Sequence, residues 1–160
     1  MEFFDGIVKD NQGNEYLQYN GRSRAILMRI PFTYQVPVIS NLAVGATSAP
    51  AQVLIDSGSD FLWQCGVYEF DLAAAAYTYN TRPMPNMTLV INDSAAGRNL
   101  QNAAVPVGAI FGPVEKPIAR PLPYLFGAAA TVTFTATNFD AAVATGNLRL
   151  SLLGQQIYYK

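Results

Sequence analysis

From Thr131 to Thr137 every second residue is apolar and the others are threonine, the period of a strand with one buried face. Leu148, Leu150 and Leu152 repeat the alternation, as do Met87, Leu89 and Ile91. The same reading predicts strands over Ile26 to Tyr34, Gln35 to Leu42, Ala51 to Ile55, Phe61 to Tyr68, Ala75 to Asn80, Met87 to Asn92, Ala104 to Phe111, Ala130 to Asn138 and Leu148 to Tyr158. Clusters of Gly, Pro, Asn and Ser separate them. The rival helical stretches, Ala73 to Ala76 and Phe139 to Ala144, are a turn or two each and too short to hold alone.

Strands with one apolar face need a facing layer, so the pattern predicts an all-β fold, an antiparallel β-sandwich of jelly-roll type. Prolines 113, 117, 121 and 123 crowd one segment, where they are expected to break the ladder and blunt exposed edges. The first 24 residues differ from the rest. A polar turn from Lys9 to Glu15 separates two short aromatic segments, Phe3-Phe4 and Tyr16 to Tyr19. The expectation is an N-terminal arm or hairpin over 1–24, with an edge strand of the sandwich as the alternative, ahead of one sandwich domain over 25–160. No internal repeat, low-complexity stretch or linker divides the remainder.

Composition narrows the function. The chain has 160 residues, of which 51% are hydrophobic and 13% charged, about half the usual charged share of roughly 25%. A chain this apolar is not a disordered tail, and sparse charge is expected of a surface covered by partners. The net charge of −1, with Lys and Arg scattered, leaves no basic patch for a run of phosphates, so no nucleic-acid partner is expected. No apolar run approaches the ~20 residues that cross a bilayer as a helix, so no membrane partner is expected either. The acidic start, Met-Glu-Phe-Phe-Asp, lacks the features of a secretory signal, which predicts a chain that begins here and is made in a cytoplasm.

With no histidine and a single cysteine, zinc sites, Ser-His-Asp triads and Cys-His dyads lack their parts, and no cofactor or metal is expected. Cys65 has no flanking cation in Phe-Leu-Trp-Gln-Cys and reads as a small buried hydrophobe. The Asp-rich turns at Asp56, Asp93 and Asp140 lack the spacing of a calcium loop.

One motif invites a catalytic reading. Val53-Leu54-Ile55-Asp56-Ser57-Gly58-Ser59-Asp60-Phe61-Leu62-Trp63 resembles the active-site strand of pepsin-like aspartic proteases. That chemistry needs two carboxylates sharing a proton, and no second Asp-Ser-Gly or Asp-Thr-Gly occurs. The resemblance therefore implies a symmetric dimer in which each chain supplies one Asp56. As a strand-to-strand turn, the same residues need only Asp and Ser bonded to nearby backbone, with Gly58 at positive φ. The turn is the favoured reading.

A second resemblance spans most of the chain as an order of elements. Arg29-Ile30-Pro31-Phe32, the Asp-Ser turn at Asp56 followed by an aromatic strand, and Pro85 to Asp93 leading into Gly97 to Asn102 come first. The Pro-rich stretches Val105 to Gly112 and Arg120 to Phe126, the Thr131 strand and the terminal strand follow. This order resembles the jelly-roll virion proteins of tailed bacteriophages that decorate or cement the capsid. The resemblance implies a non-enzymatic structural protein on the capsid surface of the virion, made in the bacterial host cytoplasm. Its partners would be the major capsid protein and further copies of itself, as a dimer or trimer. Phe3, Phe4, Tyr16, Tyr19, Tyr158 and Tyr159 are the expected contact residues, large aromatics being common interface anchors. A tail or fibre protein, the dimeric protease and a sugar-binding sandwich using Trp63 near Asp60 are the alternatives; Trp63 itself reads as core.

Overall fold

The alternating residues of Thr131–Asn138 do form a strand, with Val132, Phe134, Ala136 and Asn138 buried and the threonines between them half-covered. The structure, a computed structural model, describes residues 4–40, 42–72, 85–139 and 145–160. The strands in chain order are β1 (Phe4–Lys9), β2 (Glu15–Tyr19), β3 (Arg22–Gln35), β4 (Ile39–Ser40), β5 (Ala51–Leu54) and β6 (Asp60–Leu72). They continue with β7 (Met87–Asp93), β8 (Arg98–Asn99), β9 (Val105–Pro106), β10 (Gly112–Pro113), β11 (Ile118–Phe126), β12 (Thr131–Asn138) and β13 (Thr145–Tyr159).

They make an all-β fold of two sheets. The larger runs β1-β2-β3-β13-β6-β10, with β11 also on β6 and β4 on β13. The smaller runs β5-β12-β7-β8, with β9 on β7. Pairing is antiparallel except for the short β10–β6 match. The two inner faces meet in one core: Leu148, Leu150 and Leu152 with Phe61, Trp63, Tyr68 and Phe70 from one side, Met87, Leu89, Ile91, Val132 and Phe134 from the other. Burying such side chains stabilises by about 1.5–3 kcal/mol each before chain entropy is subtracted.

In β6 the inward residues change parity, from Phe61 and Trp63 to Tyr68 and Phe70. The cause is a bulge: Leu153 and Gly154 of β13 face Cys65 and Trp63, so Gln64 is the extra residue. Beyond it Gly66 points inward, and Phe111 fills the space a side chain would need.

The N-terminal hairpin carries a second, smaller core. Leu17 and Ile26 pack with Leu62, Leu125 and Ile157, separately from the main cluster. Asn20 and Gly21, at φ 51° and 70°, form the tight two-residue turn that brings β2 back along β3.

Several expectations need correction. Gln35 to Leu42 forms only the two-residue β4, and Ala104 to Phe111 gives the short β9 followed by a 3-10 turn over Val107–Ala109. The proline-rich segment is a strand: β11 passes through Pro121 and Pro123 because its register with β6 breaks between Ala119 and Tyr124, where the missing N–H groups cost no ladder bond. Cys65 is half-buried, since its side chain is on the outer face of the large sheet opposite Leu153. The Ala75 to Asn80 strand, the Ala73 to Ala76 run and nearly all of Phe139 to Ala144 lie outside the described residues.

Candidate functional site

Asp56 stands at the end of β5 in an exposed turn. Its Oδ1 accepts the Gly58 N–H at 2.8 Å and its own N–H donates to the Tyr34 hydroxyl at 2.9 Å. The side chain thus closes its own turn, as the turn reading expects, although Gly58 does so without a positive φ. Trp63 is fully buried, with Nε1 donating to the Cys65 carbonyl at 2.6 Å.

The aromatics singled out from the sequence sit around the hairpin and the last strand. Phe3 lies outside the described residues, and Phe4 is placed only as backbone at the start of β1. Tyr16 is half-buried and donates to Asp10 at 3.1 Å. Tyr19 packs against the hairpin core. Tyr158 donates to Gln156 at 3.2 Å. Tyr159 donates to Asp60 at 2.6 Å beneath the Arg24 guanidinium, which lies 3.6 Å from its ring centre. Tyr16, Tyr158 and Tyr159 thus spend their hydroxyls inside the chain, and Tyr159 is held well above the usual tyrosine pKa by burial first and by its bond to Asp60 second.

Among the described residues the largest apolar display is on β3, which the contact prediction did not single out. Leu27 is 60% exposed, Met28 46%, and Ile30 and Phe32 39% each. The cause is geometric. Tyr34, Phe32, Ile30 and Met28 share the face that continues inward as Val36, but the smaller sheet reaches only to Tyr34, where Asp56 is bonded. Phe32 packs edge-on against Tyr34 with centroids 4.8 Å apart, and past it the face runs out uncovered.

The outer edge of β3 is also open. β2 pairs only with Arg22 to Ala25, and no strand among the described residues pairs with the far edge from Leu27 to Gln35. The Val36 N–H bonds to the Leu150 carbonyl, which fixes the phase from Met28 to Tyr34: even residues there bond β13 and odd residues point their backbone outward. Pro31 is therefore on the open side, where it removes a donor and blunts strand addition.

At one end of the sandwich, the hairpin, the start of β6 and the turns after β7 and β11 enclose a cleft of about 290 Å³. Its wall holds Arg22, Arg24, Asp60 and Asp93 over a floor that includes Leu17 and Leu125. Asp60 and Asp93 are buried, and each accepts one backbone N–H and one tyrosine hydroxyl: Ala128 and Tyr159 for Asp60, Ala95 and Tyr124 for Asp93. Among the described residues no cluster of three or more Cys, Asp or Glu is placed to hold a metal ion. Comparison with known protein families, with curated proteins and with solved structures finds no match, so the reading of function rests on the chain itself.

Proposed function

We propose that this chain is a non-enzymatic virion structural protein, a jelly-roll decoration or cement protein that binds the outer surface of an assembled phage capsid. The observation that carries the reading is the uncovered apolar face of β3. Met28, Ile30 and Phe32 continue the core pattern into solvent on a chain with only 13% charged residues. Contiguous apolar exposure of this kind marks an interaction surface. Pro31 on the open edge favours contact through side chains over an added strand. The two-sheet body suits mechanical work: a protein that binds only the assembled lattice stabilises that state by its binding free energy, copy by copy. Its partners on this reading are the major capsid protein and further copies of itself in a dimer or trimer on a local symmetry axis.

The test is twofold. Purified particles should contain the chain at high copy number, and Ile30→Asp with Phe32→Asp should abolish its binding to emptied capsids while leaving the far-ultraviolet spectrum unchanged. Intact particles that lack the chain, or a double variant that still binds, would remove the proposal.

A further inference from the structure

The cleft at the hairpin end has a charge arrangement that the capsid reading does not use. Of the four charged side chains in its wall, three are engaged. Asp60 holds the Ala128 N–H at 2.8 Å and the Tyr159 hydroxyl at 2.6 Å, with Arg24 Nη1 3.6 Å away. Arg24 in turn lies on the Tyr159 ring. Asp93 holds the Ala95 N–H and the Tyr124 hydroxyl, both at 2.9 Å. Arg22 is the exception: it lines the cleft with no carboxylate partner among the described residues.

Its position is built. Arg22 follows the Asn20-Gly21 turn directly and pairs with Tyr19 across the hairpin, so the strand fixes where its stem leaves the backbone. A guanidinium stays protonated at any working pH and offers a planar fork of donors suited to a carboxylate. The apolar floor, Leu17 and Leu125, asks for an apolar stem on whatever brings that carboxylate in.

We infer that this cleft accepts one singly charged carboxylate on a short apolar stem, with Arg22 as its counter-ion. Charge counting selects the guest: Arg24 faces Asp60 and Arg98 is bonded to Tyr124 beside Asp93, so each carboxylate of the wall has a cation near it and Arg22 is left over among the described residues. A single carboxylate balances that one charge, whereas a doubly charged phosphate exceeds it. The cleft volume of about 290 Å³ suits a group of side-chain size. Two sources carry this chemistry, a free short-chain carboxylate and a glutamate side chain on a polypeptide.

The experiment is amide-shift titration of the whole chain with pentanoate, with a blocked peptide containing one glutamate, with pentanamide and with inorganic phosphate. Saturable shifts at Gly21, Arg22 and Gly127 are expected with at least one of the two carboxylates. Pentanoate alone would identify a small-molecule guest, and the peptide alone a polypeptide guest. Arg22→Gln should weaken that binding at least about tenfold, the loss expected when a charge-assisted contact is removed. Arg22→Lys should restore part of it, and Lys116→Gln, elsewhere on the surface, should change nothing. Equal binding of pentanamide, tighter binding of phosphate, no saturation with either carboxylate, or full binding by Arg22→Gln would each overturn the inference. None of these outcomes bears on the β3 face, so the capsid reading stands or falls separately.

Discussion

Tyr159 donates its hydroxyl hydrogen to Asp60 Oδ2 at 2.6 Å, tying the end of the last strand to the first residue of β6. The other carboxylate oxygen caps the Ala128 N–H, so one buried side chain joins β6, β13 and the turn ahead of β12. Arg24 on the Tyr159 ring adds the start of β3 to the same knot. The hairpin is held there by polar bonds as well as by Leu17.

Removing that hydroxyl should therefore be costly. Tyr159→Phe keeps the ring and deletes a bond to a buried charge, for an expected loss of about 1.5–3 kcal/mol in urea unfolding. Tyr16→Phe, which deletes a similar bond to Asp10 in the open β1–β2 turn, should cost under about 1 kcal/mol. Equal losses in the two variants would show that the burial of Asp60 contributes nothing.

Two inward glycines set a packing limit. A methyl group at Gly66 would sit 2.7 Å from Phe111 Cδ1, and at Gly154 it would run into the Leu62 carbonyl. Gly66→Ala should destabilise by about 1–3 kcal/mol, the usual cost of overpacking, as Phe111 shifts. Gly154→Ala should cost more, because backbone cannot step aside. Gly108→Ala meets nothing within 4 Å and serves as the control. Melting temperatures should be highest for Gly108→Ala, lower for Gly66→Ala and lowest for Gly154→Ala.

The turn between β2 and β3 rests on Asn20 and Gly21, both at positive φ. Gly21→Ala places a Cβ in that left-handed conformation, at a cost of roughly 1–2 kcal/mol. Because the hairpin has its own small core, the loss should show first as faster amide exchange in β1 and β2, with β7 and β12 unchanged. Uniform acceleration across all strands would mean that hairpin and sandwich open as one unit.

These features differ in how far the sequence reveals them. β7, β12 and the Leu148 to Leu152 part of β13 were legible because strict alternation matches a face buried along its whole length. The Asn20-Gly21 pair is a readable hairpin signal, since both residues tolerate the positive φ of a tight two-residue turn. β11 was hidden by its prolines, since only the pairing with β6 reveals that its register breaks where they stand. The β3 face was illegible for a different reason. Met28, Ile30 and Phe32 carry the same alternation as core residues, and their exposure depends on how far the opposite sheet extends, which no local pattern records. The cleft joins residues from position 17 to position 159, so its charge balance emerges only on folding.

Alkaline titration offers the last test, because two tyrosines bonded to buried carboxylates must resist ionisation. Tyr124 is pushed up to about 12, by burial first and then by its bond to Asp93. Tyr159 is raised further, by burial and by Asp60. The unfolded chain ionises its tyrosines near pH 10, so the folded state holds the more protons above that pH. The stability from these two groups is complete below about pH 10 and is lost as pH climbs from there through about 12. Tyrosinate absorbance should accordingly show a late stage that includes Tyr124 and Tyr159 and coincides with unfolding. Tyr124→Phe should remove one phenol from the late stage and flatten the fall of stability above pH 10. A single smooth ionisation of all nine tyrosines, with the fold intact, would contradict the Asp93–Tyr124 and Asp60–Tyr159 bonds.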